Sequence, residues 1–174
     1  MRANRFPSNQ MVPACHMLCR FCEKDKTLIE AHIIARCLRE PLLHPSGSMM
    51  LISKDANSYP KRNPTGQYDR QILCADCDER FSPWERYTAK LLMVPDAYEK
   101  HKEARSIENF YRIEKFDYSS LKLCFLSILW KMSVSTLTSF NGIRLWPFEA
   151  TIRQMLYNKN PARQMSFPYY CFGL

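Results

Sequence analysis

Two Cys-x-x-Cys pairs, Cys19/Cys22 and Cys74/Cys77, constrain this chain more than any other feature. Each pair sets two sulfurs on one side of a tight turn. Two such turns complete a tetrahedral shell of soft ligands, the coordination zinc prefers, so a structural zinc ion is expected on these four residues. Residues 23–73 separate the pairs, and a shared ion would tie distant segments together. The alternatives are buried free thiols or disulfides. The amino-terminal stretch MRANRFPSNQ has no apolar run, so no secretory signal is expected. The expectation is a cytoplasmic chain, where paired Cys-x-x-Cys motifs read as metal sites. Cys15 and His16 lie near enough to replace one ligand. Cys37, Cys124 and Cys171 read as core or free cysteines.

Composition sets the limits on class. The 174 residues suggest one domain, or a small domain with an appendage. Hydrophobic residues make up 46%, with 10 Phe, 9 Tyr and 3 Trp, which is enough to build a core and excludes a disordered chain. The 11 Pro against 4 Gly predict many short elements. The apolar run LCFLSILW at 123–130 sits between Lys122 and Lys131 and is too short to span a bilayer, so no membrane partner is expected.

Along the chain, residues 1–14 read as a flexible arm. LIEAHII (28–34) reads as a short apolar strand. Residues 35–70 contain Pro41, Pro45, Gly47, Pro60, Pro64 and Gly66 and read mostly as loop, with SMMLIS (48–53) a short strand inside it. Ser82, Pro83 and Glu85 form the S-x-x-E capping-box pattern, with Ser82 as N-cap. Pro95 ends that helix and opens another over 95–105. From 117, Leu121, Phe125, Ile128 and Met132 share one helical face, with Cys124 and Leu129 beside it. That helix is apolar nearly all round and is expected to be buried. A last helix starts at Pro147, carries Phe148, Ile152, Met155 and Leu156 at helical spacing, and stops before Pro161. The apolar tail SFPYYCFGL is expected to pack. The reading is α+β: a small metal-stabilised core over 15–94 and a helical extension over 95–174.

His32 lies in the apolar strand between the two cysteine pairs. Alone, it reads as a satisfied core histidine or a fifth candidate ligand. The order C-x-x-C, then AHII, then D-x-x-x-L-C-x-x-C-D resembles the HNH nucleases, which have a zinc-bound ββα-metal core. The resemblance covers roughly residues 15–92. It implies a metal-dependent endonuclease that hydrolyses phosphodiester bonds in DNA. It places His32 at the general base, Asp69 at the family's usual Asn, and Asp78 at its last His or Asn. Such chemistry needs a base near a water and a divalent cation on the scissile phosphate. A neutral imidazole can supply the first. Hard oxygen donors such as Asp78, joined by Glu30, suit a catalytic Mg²⁺ or Mn²⁺. Ala31 stands where the family usually has a ligating Asp or His. A second reading is therefore a non-catalytic zinc-binding adaptor for nucleic acid or protein. Asp69 and Asp78 also read as turn caps.

The formal charge is +8, and four thiolates on a divalent ion would lower it to about +6. A basic surface attracts polyanions, and DNA is the expected partner. Candidate phosphate contacts are Arg36 and Arg39 after the histidine, and Lys54, Lys61, Arg62 and Arg70 in the long loop. Lys61 and Arg62 lie near Tyr59 and Tyr68 in sequence, a mixture suited to backbone contact and stacking. The resemblance further implies a bacterial setting: a defence-system component partnered by an ATPase subunit.

Overall fold

The computed structural model describes residues 16–43, 49–52, 59–63, 65–93 and 115–162. The arm at 1–14, Cys15, Lys54, the expected helix at 95–105, and the tail with Cys171 lie outside the described residues. The architecture mixes helices with two-stranded antiparallel ladders, an α+β arrangement.

Strands β1 (His16–Leu18) and β2 (Asp25–Thr27) form a hairpin, with Met17 opposite Lys26. Its turn is the first cysteine pair. The Cys19 amide donates to the Lys24 carbonyl at 3.0 Å, and the Glu23 amide to the Cys19 carbonyl at 2.8 Å. Glu23 closes the turn at φ 57°, a left-handed conformation costly for a side chain with a Cβ. Its carboxylate meets Arg153 at 3.0 Å.

The expected strand over 28–34 is broken into shorter pieces. Leu28 bridges Cys74, and the Ile29 amide bonds the Leu73 carbonyl. The Ala31 amide then turns back onto the Ile29 carbonyl at 2.9 Å, which bends the chain at Glu30. Strand β3 (Ala31–His32) follows and pairs with β6 (Tyr68–Asp69), Ala31 opposite Asp69 and His32 opposite Tyr68. Between them run a short helix α1 (Arg36–Arg39), a 3-10 turn (Glu40–Leu42), and a ribbon of β4 (Met50–Leu51) with β5 (Lys61–Arg62).

After the second cysteine pair begins, helix α2 (Ala75–Glu79) leads into α3 (Ser82–Met93). The expected capping box is absent. Helix α3 begins one residue early, at Ser82, with the Phe81 carbonyl accepting the amides of Trp84 and Glu85 at 3.1 Å. The Glu85 carboxylate is drawn instead to Lys131. Helix α4 (Tyr118–Val134) is capped by Asp117, which accepts the Ser120 amide at 3.1 Å. Helix α5 (Glu149–Tyr157) begins two residues after Pro147 and buries Ile152 and Leu156.

One apolar core joins both parts of the chain. It contains Phe21, Ile33, Ile72, Leu73, Phe81, Trp84, Leu123, Trp130, Ile152 and Leu156. Each such large side chain contributes roughly 1.5–3 kcal/mol when removed from water. The buried face of α4 differs from the one expected. Leu123, Cys124, Ser127, Trp130 and Lys131 point inward, while Phe125 is exposed and Leu121, Ile128 and Met132 are half-buried. In a helix apolar nearly all round, hydrophobicity does not select a face. Trp130 and the Lys131–Glu85 pair do. No helix among the described residues is long and apolar enough to cross a membrane.

Candidate metal centre and the histidine beside it

The ligand atoms of Cys19, Cys22, Cys74 and Cys77 all lie within 4.8 Å of one another. A tetrahedral ion with sulfur bonds of about 2.3 Å would set its sulfurs about 3.8 Å apart, so this donor set fits one metal ion. All four cysteines are free of disulfides. Burial pushes the Cys77 thiol up, and crowding by Cys74, Cys19 and Cys22 adds to the effect. Four sulfurs this close cannot all ionise without a cation among them.

The two turns are built to meet. The Arg20 amide donates to the Ile72 carbonyl at 2.9 Å, and the Cys74 amide to the Cys19 sulfur at 3.4 Å. Lys26 pairs with Asp76 across the two turns. Phe21, between the first two cysteines, sends its ring into the core, edge-on to Phe81 at 5.0 Å and to Trp130 at 5.3 Å. From α5, Arg153 donates to the Phe21 carbonyl at 3.1 Å. The extension thus holds the first turn from behind.

His32 is half-buried on β3. Its Nε2 lies 3.2 Å from the Thr65 carbonyl oxygen. A carbonyl only accepts, so Nε2 carries a hydrogen, and in the neutral ring Nδ1 keeps its lone pair. Asp78 follows Cys77 on α2 and is half-buried. Burial pushes its carboxyl up and Glu85 adds to this, while Lys131 and His32 pull it down. His32 and Asp78 therefore lie within electrostatic reach of each other. Their order in the site follows from the fold: β3 carries the histidine, and the second cysteine turn launches the helix that carries the aspartate.

The other expected site residues have different surroundings. Asp69 is fully buried beneath β6, facing the loop after α4. It accepts the Thr136 amide at 2.6 Å and the Ser135 hydroxyl at 2.8 Å, with the Thr136 hydroxyl at 3.0 Å and the Gln71 amide at 2.8 Å. Those bonds outweigh its burial and hold its carboxyl below the ordinary value. Glu30 is exposed and pairs with Arg70, so the expected metal ligand and the expected phosphate contact engage each other. Arg36 is exposed and pairs with Glu40 at 3.1 Å. Arg39 corrects the expectation of a surface contact: it is 8% exposed, and its guanidinium lies where a Cβ on Gly66 would stand, so Gly66 makes room for it. Lys61 and Arg62 are exposed on β5.

The sequence reading missed Lys131. It looked like the charged flank of an apolar run, yet its ammonium is 1% exposed and reaches Glu85 at 2.8 Å, over the Phe81 ring. Glu85 has the opposite history, since a capping role hid it. Its position one helical turn after Phe81, opposite an apolar helix, was the available signal.

Comparison with known proteins returns no matching family model, curated protein or solved structure.

Proposed function

We propose that this chain is a metal-dependent endonuclease of the HNH type, with a structural zinc ion on Cys19, Cys22, Cys74 and Cys77. The observation that supports this reading is the His32 ring, held at Nε2 by the Thr65 carbonyl so that Nδ1 of the neutral ring is free to accept a proton, within electrostatic reach of the carboxylate that follows the second cysteine pair. In that reading His32 Nδ1 takes the proton from a water attacking a phosphodiester. Asp78 is the hard oxygen donor near that water. A Mg²⁺ or Mn²⁺ ion bound there would stabilise the charge developing on the phosphate. Among the described residues the four cysteines form the one cluster of three or more potential metal-ligating groups. The catalytic ion would thus rest on one carboxylate and the substrate phosphate, a mode Mg²⁺ commonly uses. Asp69 ties β6, whose Tyr68 pairs with His32, to the loop after α4.

Purified chain with Mg²⁺ or Mn²⁺ should nick supercoiled plasmid, and His32→Ala should abolish nicking while leaving metal content intact. Equal nicking by both would overturn the reading.

Ala31 favours the second reading, a non-catalytic adaptor, because it offers no ligand atom beside His32. It is fully buried, so Ala31→Asp would bury an unpaired carboxylate. Stable duplex binding without cleavage at any divalent ion concentration is the outcome that selects the adaptor.

A further inference from the structure

A polar cleft of about 480 Å³ lies between the first cysteine turn, the end of α4 and the start of α5. Its size falls within the range of about 300–1,000 Å³ common for small-molecule sites. The proposed chemistry uses none of its lining residues. Three guanidinium groups line it: Arg20 inside the cysteine turn, Arg144 in the loop before α5, and Arg153 on α5. Two carboxylates, Glu23 and Glu149, line it as well, and both are engaged. Glu23 meets Arg153 at 3.0 Å, and Glu149 accepts the Ser133 hydroxyl at 2.5 Å. Arg20 and Arg144 are exposed, and neither has a carboxylate partner among the described residues. Arg144 donates to the Ile143 carbonyl at 3.0 Å, which leaves most of its donors open.

Two neutral features point the same way. Helix α5 opens on the cleft with Glu149 and Ala150, and no side chain caps it. The first amides of a helix lack partners within it and carry partial positive charge. Trp130 lines the same cleft and is 1% exposed, and its indole N–H finds no acceptor among the described residues. A buried donor without an acceptor is uncommon and costs free energy. Open guanidinium forks, uncapped amides and an unmet N–H together call for an anion with several acceptor oxygens. A carboxylate is planar, and one guanidinium saturates its edge. Arg20 and Arg144 come from different elements, and α5 adds its amides. A tetrahedral phosphate offers oxygens in several directions and suits that spread of donors. The cleft is also far larger than one ion, since a water occupies about 30 Å³ of the liquid. A bound phosphate therefore has room for the molecule that carries it.

We infer that this cleft binds the phosphate group of a phosphorylated molecule. Arg20 and Arg144 hold the phosphate oxygens, and the first amides of α5 and the Trp130 N–H are the neutral donors. The phosphate comes on a free small molecule or at the end of a nucleic-acid strand, and the recognition chemistry is the same. The cleft is built from none of the residues around His32, and binding there needs no cleavage.

The test uses the full chain and isothermal titration calorimetry with ribose 5-phosphate, which should fill one site per chain. Inorganic phosphate should compete, and acetate at the same concentration should not. Arg20→Ala and Arg144→Ala should each raise Kd about tenfold, the loss of one charge-assisted contact. Lys61→Ala/Arg62→Ala removes as much charge as Arg20→Ala/Arg144→Ala and should leave Kd within about twofold. Tm checks the fold of each variant. If Arg20→Ala loosens the cysteine turn, Arg144→Ala, outside that turn, decides. A single-stranded oligonucleotide with a 5′-phosphate separates the two sources. A strand end is the ligand if it binds more tightly than ribose 5-phosphate and loses that advantage without its 5′-phosphate; a small molecule is the ligand if ribose 5-phosphate binds more tightly. In the ¹⁵N-labelled chain, the indole N–H signal missing from Trp130→Phe should move downfield as phosphate is added. The assignment is overturned by no binding of any phosphate probe at millimolar concentration, by equal competition from acetate, by an equal loss in Lys61→Ala/Arg62→Ala, by an unchanged Kd in Arg144→Ala, or by an unmoved Trp130 indole signal.

Discussion

Lys131→Met removes the one cation buried between helices α3 and α4. Lys131 is 1% exposed and its partner Glu85 is 10% exposed at the side chain, with the ammonium 2.8 Å from the carboxylate. On a surface, such a pair contributes about 0–1 kcal/mol. Here water cannot take over the partner's charge. The variant leaves Glu85 uncompensated and removes a cation that acts on Asp78 as well. Breaking one side of a buried pair costs about 3–5 kcal/mol. At about 2–4 °C per kcal/mol for a chain of this size, Tm should fall by about 6–20 °C. Differential scanning calorimetry on metal-loaded protein measures this. The double variant Glu85→Leu/Lys131→Met keeps the volume apolar and should recover much of the loss, because no charge is left stranded at that pair. The reasoning is refuted if Lys131→Met costs less than about 1 kcal/mol, or if the double variant costs the sum of the two single changes.

Three further outcomes follow from other features. The purified chain should carry one tightly held metal ion, measured by elemental analysis, and Cys74→Ser or a strong chelator should release it together with the cooperative unfolding transition. Asp69→Asn should cost about 2–3 kcal/mol, since an amide nitrogen meets donors where the carboxylate accepted them. Its pH dependence has a definite sign. The folded carboxyl lies below the unfolded value of about 3.9, so wild-type stability is present above that pH and is lost as pH falls through the folded value. Acid titration of ΔG should show this loss in wild type and none from this group in Asp69→Asn. Arg153→Ala removes the contacts to the Phe21 carbonyl and Glu23, so the metal should pass to a competing chromogenic chelator faster than from wild type.

The four-cysteine cluster was legible in the sequence because Cys-x-x-Cys spacing is a local geometric rule, and two such turns suffice to define a shell. His32 was legible as a residue to weigh, because it interrupts an apolar strand between those turns. What its ring nitrogens do was not legible. That depends on the Thr65 carbonyl, set by how a long loop returns to β6. Asp69 shows the limit of spacing arguments. Its distance from the second cysteine pair is fixed by the chain, but its carboxylate faces Ser135 and Thr136, more than sixty residues away. The α4 face was misjudged because apolar residues in LKLCFLSILWKMS occur on every side of the helix, so periodicity carried little information. Three polar residues, Ser127, Lys131 and Ser133, lie on the buried side. Arg39 failed for the related reason that burial of a long cation depends on a glycine elsewhere, here Gly66.

Phe21 and Trp130 give the molecule an optical signal of its own. The indole of Trp130 is 1% exposed and sits edge-on to a ring that lies between two cysteines of the candidate metal centre. Any event that releases the first cysteine turn moves Phe21 and admits water to that indole. Trp84 is buried in the same core, while Trp146 is 86% exposed and supplies a nearly constant background. Emission should therefore be blue-shifted when the ion is bound and shift red on its removal. Metal loading can be followed in the unlabelled protein.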